Sequence, residues 1–193
     1  FAPDCLQKGG GFSTNLAEDC LYLNVYTPAD ARAGERLPVA VFLYGGAFQS
    51  GATSFAPYDA LWWIRDRHKR VVLVTPNYRL AALGFLGASA LLAEHNTTGN
   101  WGLLDQREAL RWVQRNIAAF GGDPQRVTLF GESAGAASTT CHLVMPRSFG
   151  LFAHAAMESG PAASWTSRPL AVADAEFRRY AAAVGCEMRA GGG

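Results

Sequence analysis

The sequence predicts an α/β protein: a mostly parallel sheet flanked by helices, the N-terminal part of such a domain and incomplete at both ends. Three observations carry this reading. Apolar runs of strand length alternate along the chain with segments of helical periodicity, the pattern of a parallel sheet covered by helices. The run at residues 39–44 is continuously apolar, as in a strand buried on both faces, and residues 71–75 read as a second buried strand. No internal repeat or linker divides the 193 residues, so positions 1–193 read as one partial domain. The expectation of cut ends rests on Phe1, which no leader pattern precedes, and on Gly191, Gly192 and Gly193 directly after a helical segment.

The elements follow in order. Alternation over residues 21–26 predicts a strand stopped by Pro28, and residues 30–38 a polar turn. The buried strand at 39–44 ends at Gly45 and Gly46. Residues 58–68 have helical periodicity and a basic end, suited to the negative pole of the helix dipole. A second buried strand at 71–75 stops at Pro76, and a Gly- and Asn-rich loop follows. Asp105 opens an amphipathic helix to about Phe120, its apolar positions Leu110, Val113, Ile117 and Phe120 recurring three or four apart. Gly121 to Pro124 ends it. Residues 127–130 predict a third strand, 134–144 the helix behind it, 153–159 a short fourth strand, and 173–184 a last helix with Gly185 as its cap.

Composition excludes several classes of function. Apolar residues make up 49% and charged residues 17%, too apolar for a disordered chain. The net charge of +1 comes without the basic stripe that a nucleic acid requires. No window approaches the roughly 20 apolar residues of a membrane span. The four cysteines and four histidines form no zinc-like spacing, so neither a metal nor a cofactor is expected. Cys141, within an apolar run, reads as a buried free thiol. Cys5 and Cys20 flank a polar, glycine-rich stretch able to close as a loop.

The chemistry concentrates at Gly131-Glu132-Ser133-Ala134-Gly135. This is the G-x-S-x-G pattern in which a strand turns abruptly into a helix and lifts a serine hydroxyl above the sheet. Glycine two positions either side of the serine avoids collisions across the tight turn. The context fits, with a β-branched apolar strand before it and a small-residue helix after it; the plain alternative is a glycine-rich strand-to-helix turn. A serine nucleophile needs backbone N–H donors for the oxyanion. Ala134, at a helix N-terminus, supplies one. Tyr44-Gly45-Gly46-Ala47-Phe48, at the end of a neighbouring strand, is suited to supply the others, or is an ordinary Gly-Gly turn.

Four blocks then carry a family resemblance: Glu18 to Val25, Tyr44 to Phe48, Asn77-Tyr78-Arg79-Leu80, and Gly99 through Gly135. In this order they resemble the type-B carboxylesterases, the α/β-hydrolase family that includes the cholinesterases. The resemblance implies Ser133 as the acylated nucleophile and Gly46, Ala47 and Ala134 as oxyanion donors. It implies a gorge position for Glu132, whose other reading is a solvated turn residue. It places an acyl-pocket aromatic at Trp165, which also reads as a plain core tryptophan. It pairs Cys5 with Cys20, and Arg79 with Asp105 as a buried or half-buried ion pair. Cys186 resembles the first cysteine of a second disulfide, and Glu18 a member of an ion pair whose arginine lies upstream of Phe1.

Two departures matter. The family's catalytic glutamate and histidine lie downstream of the serine, and none of His68, His95, His142 and His154 matches the histidine's position. The chain alone is therefore expected to be inactive. The tryptophan that cholinesterases carry ten residues before the cysteine of the Glu-Asp-Cys block is Gly10 here, which disfavours a choline ester specialist. The expected substrate is a small-molecule carboxylic ester, with no specific protein partner predicted. A disulfide and the sequon at Asn96 point to the secretory pathway or the cell exterior. The alternative is a non-catalytic, cholinesterase-like adhesion domain; several such domains lack the nucleophile, which here stands in an intact elbow.

Overall fold

A computed structural model describes residues 1–7, 15–32, 34–65, 70–160, 163 and 166–186. Two short strands open it, β1 (Asp4–Cys5) and β2 (Leu16–Ala17), paired in parallel. The main sheet has five strands: β3 (Leu23–Tyr26), β4 (Leu37–Leu43), β5 (Val72–Pro76), β6 (Gly122–Glu132) and β7 (His154–Glu158). Their order across the sheet is β3-β5-β4-β6-β7, with β3 antiparallel to β5 and every other neighbouring pair parallel. The helices are α1 (Leu61–Ile64), α2 (Ala81–Phe85), α3 (Ala90–His95), α4 (Trp101–Asn116), α5 (Ala134–Val144) and α6 (Leu170–Ala183).

The core lies between one sheet face and α4. Leu37, Val39, Val41 and Leu43 of β4, with Val127 and Leu129 of β6, pack against Leu110, Val113 and Ile117. Leu110 and Val113 of α4, with Ile117 just past its end, recur at the spacing of one helix face, which is why this amphipathic segment is held as a helix. Full burial of side chains of this size contributes about 1.5–3 kcal/mol each.

Several expectations are corrected. β4 alternates between buried and half-buried residues and is not covered on both faces. Its second face carries Phe42, whose ring packs tilted against Tyr58 and Phe130 with centroids 5.0 Å apart in each pair. The helix expected from Asp105 starts at Trp101 and gives way to a 3₁₀ turn at Ile117–Phe120. The tighter winding turns Phe120 outward, 39% exposed against Trp112. The stretch read as a loop after Pro76 contains α2 and α3, helices of five and six residues. Helices this short have little intrinsic stability, and packing decides them. Of the helix expected at 58–68, α1 covers Leu61–Ile64 after a 3₁₀ turn at Ala56–Tyr58, and His68 lies outside the described residues. The turn ascribed to Gly122 and Asp123 belongs to β6.

Candidate active site

Ser133 stands between the end of β6 and the start of α5 with φ 54° and ψ −117°, a left-handed conformation that L-residues rarely adopt. The β6–α5 turn requires it, and the turn is tight enough that glycine at Gly135 is obligatory. A Cβ there would lie 1.9 Å from the Leu43 carbonyl oxygen of the adjacent strand. Strain of this kind, of order 1–3 kcal/mol, persists only where surrounding structure holds it. Here the hold comes from β7: the Ser133 N–H donates to the Glu158 carbonyl at 2.8 Å. Gly160, just beyond, packs so closely that a Cβ would sit 2.1 Å from the Ser133 carbonyl oxygen. No pattern in the sequence marks these contributions from β7 and the residues just beyond it.

The loop after β4 closes against the serine. A Cβ on Gly45 would lie 3.0 Å from Ser133 Cβ and 2.8 Å from Glu132 Oε2, so loop and elbow are in contact. The loop turns on the Gly46 carbonyl, which accepts from the N–H groups of Gln49 and Ser50. Gly46, Ala47 and Phe48 all have positive φ, at 114°, 55° and 61°. Ala134 is the first residue of α5, so its N–H has no partner within the helix. Glu132 is half-buried beneath Gly45, and its charge, after burial, helps raise the Tyr58 phenol above its ordinary pKa. Trp165 and Gly10 lie outside the described residues.

No histidine among the described residues is placed to serve Ser133. His142 is fully buried with both ring nitrogens engaged, Nδ1 with Ser148 Oγ at 2.9 Å and Nε2 with Gln106 Oε1 at 3.1 Å. Burial, helped by the nearby Arg107 charge, lowers its pKa to about 4. His95 is exposed beside Glu94. His154 opens β7, at the strand end opposite Glu158 and the elbow.

The remaining site residues are placed as follows. Cys5 and Cys20 form a disulfide. Arg79 and Asp105 form an ion pair, Nη2 to Oδ1 at 2.7 Å. Glu18 makes no ion pair among the described residues, and it lines a small cavity with Arg79. Asn96 is exposed at the end of α3. Cys186 is an exposed free thiol. Cys141 is corrected from buried to half-buried: it lines a cleft of about 410 Å³ that runs from Ala47 and Phe48 to Ala173 and Glu176 of α6. Among the described residues no three His, Cys, Asp or Glu side chains cluster as metal ligands, and no helix is long and apolar enough to cross a membrane.

A model described as the carboxylesterase family matches residues 1–191. A mouse cholinesterase is 51% identical over 148 residues, covering 77% of this chain and 23% of the relative. A mouse acylcarnitine hydrolase is 52% identical over 147 residues, 76% of this chain and 25% of the relative. A crystal structure of a carboxylesterase from Geobacillus stearothermophilus superposes with a TM-score of 0.88 at 41% identity, over 97% of this chain and 38% of that one. The chain thus spans about a quarter of the length of the mouse relatives it matches.

Proposed function

Because the chain belongs to the carboxylesterase family, we propose that it carries the nucleophile and oxyanion machinery of a serine ester hydrolase. Ser133 Oγ attacks the carbonyl carbon of a small-molecule carboxylic ester while its proton passes to a base. The oxygen that becomes negative is held by the N–H groups of Gly46, Ala47 and Ala134, and Glu132 sets the local electrostatics. Collapse of the tetrahedral intermediate breaks the ester C–O bond, and the alcohol leaves with the proton. Water then attacks the acyl-serine and releases the acid. The observation that carries this reading is Ser133 at positive φ between β6 and α5 with the loop after β4 packed against it.

No histidine among the described residues is placed to act as the base, and the 193-residue chain by itself is expected to turn over little or no ester. The Cys5–Cys20 disulfide and the exposed sequon at Asn96 support maturation in an oxidising, secretory compartment.

The test uses p-nitrophenyl acetate with two proteins. The chain itself should hydrolyse it no faster than its Ser133→Ala variant. A chimera in which residues 1–191 replace the matching segment of the Geobacillus carboxylesterase should hydrolyse it, and should lose that activity with Ser133→Ala. A chimera whose rate survives the substitution removes Ser133 from the mechanism.

A further inference from the structure

The loop that carries Gly46 and Ala47 holds three successive residues at positive φ, two of them not glycine. Such a conformation does not maintain itself; something rigid must over-determine it. The contacts identify that element as residues 77–81, and three hydrogen bonds tie the backbone of the loop to it. Tyr78 Oη donates to the Tyr44 carbonyl at 2.6 Å, the Ala81 N–H to the Phe48 carbonyl at 2.7 Å, and the Thr53 N–H to Asn77 Oδ1 at 3.2 Å. The 77–81 segment is itself anchored, because Asp105 of α4 accepts from both the N–H and the guanidinium of Arg79.

The first of the three bonds matters most. The Tyr44 carbonyl shares a peptide plane with the Gly45 N–H, so fixing that oxygen fixes how the chain enters Gly45, Gly46 and Ala47. The two tyrosines are stacked at 4.3 Å and essentially unexposed, at 1% and 0%, so water has no route to replace the phenol as donor. Tyr44 returns two longer bonds through its Oη, which donates to the Tyr78 carbonyl at 3.1 Å and accepts from the Tyr78 N–H at 3.2 Å. Both go to the backbone of the 77–81 segment and leave the loop carbonyl untouched.

We infer that Tyr78 is a positioning residue for the oxyanion loop, holding the Tyr44–Gly45 peptide so that the N–H groups of Gly46 and Ala47 aim at the developing oxyanion; this rests on the ester hydrolysis proposed above. Burial, with Tyr44 and Tyr58 nearby, raises the Tyr78 phenol well above its ordinary pKa, so the donor keeps its proton across the physiological range.

The stacked pair supplies its own control: Tyr78→Phe deletes the hydroxyl bonded to the loop carbonyl, whereas Tyr44→Phe deletes the hydroxyl whose two bonds go to the Tyr78 backbone. In the 193-residue protein, hydrogen exchange of the amides at 45–50 should quicken about tenfold or more in Tyr78→Phe and stay near wild type in Tyr44→Phe. In the carboxylesterase chimera, Tyr78→Phe should lower kcat by about tenfold to a hundredfold with KM little changed, because the oxyanion forms only in the transition state. Tyr44→Phe should leave kcat within about threefold of wild type. Equal effects of the two substitutions, or loop exchange unchanged in Tyr78→Phe, would overturn the inference. Failure of the Ser133 reading is seen separately, as a chimera rate that survives Ser133→Ala.

Discussion

Arg79 grips Asp105 with three hydrogen bonds: its backbone N–H and Nε both donate to Oδ2, at 3.1 and 2.8 Å, and Nη2 donates to Oδ1 at 2.7 Å. The partners are unequally buried, with 6% of the Asp105 side chain exposed against 35% of the Arg79 side chain. Losing the arginine strands a nearly buried carboxylate, whereas losing the carboxylate leaves a guanidinium that water can still reach. Arg79→Met is expected to cost about 3 kcal/mol and Asp105→Asn about 2 kcal/mol. Urea unfolding of both variants measures the difference, and the reverse ranking would show that the desolvation argument is misapplied here.

His142 makes stability depend on pH. Its pKa in the folded protein is lowered to about 4 from an ordinary 6.5, so between those values the unfolded chain binds a proton that the folded one does not. Stability is therefore full above pH 6.5 and declines as the pH falls. The carboxylates with lowered pKa, Glu108, Asp123 and Asp174 among them, act from about pH 5 downward. The interval from pH 6.5 to 5 isolates His142, which should remove about 2 kcal/mol there. His142→Gln should flatten that slope; a slope that persists in the variant assigns it to other groups.

The Cys5–Cys20 disulfide closes a loop with a sequence separation of 15. Unreduced protein from an oxidising compartment should titrate with two free thiols, Cys141 and Cys186. Reduction should lower stability by about 3 kcal/mol in the chain-entropy model. Four titratable thiols before reduction would show that the bond does not form.

Gly135 is the least replaceable residue of the elbow. An alanine there would press its Cβ against the Leu43 carbonyl, and neither backbone can withdraw without unpairing β4 from β6. Gly135→Ala should cost about 3 kcal/mol or more. Thermal unfolding near wild type would mean that the turn is looser than its contacts imply.

The sequence by itself determined the α/β alternation, the elbow around Ser133, the loop at Gly45–Ala47 and, through resemblance, the partners Cys5–Cys20 and Arg79–Asp105. The first three depend on local patterning, because a period of apolar residues, a β-branched strand or a glycine at a fixed offset is legible without knowing what lies across from it; the two pairs rest on the resemblance alone. Only the tertiary structure decided what holds those parts in place. The Glu158 carbonyl receives the Ser133 N–H, and Gly160 makes room behind it. Tyr78 fixes the Tyr44 carbonyl across 34 residues of sequence. His142, nine residues past Ser133, turns inward to Gln106 and Ser148. No local pattern marks such partners, since they are chosen by strand order and close approach of backbone. The same reason hid α2 and α3, which are too short to be stable through their own hydrogen bonds and exist because the surrounding structure packs them.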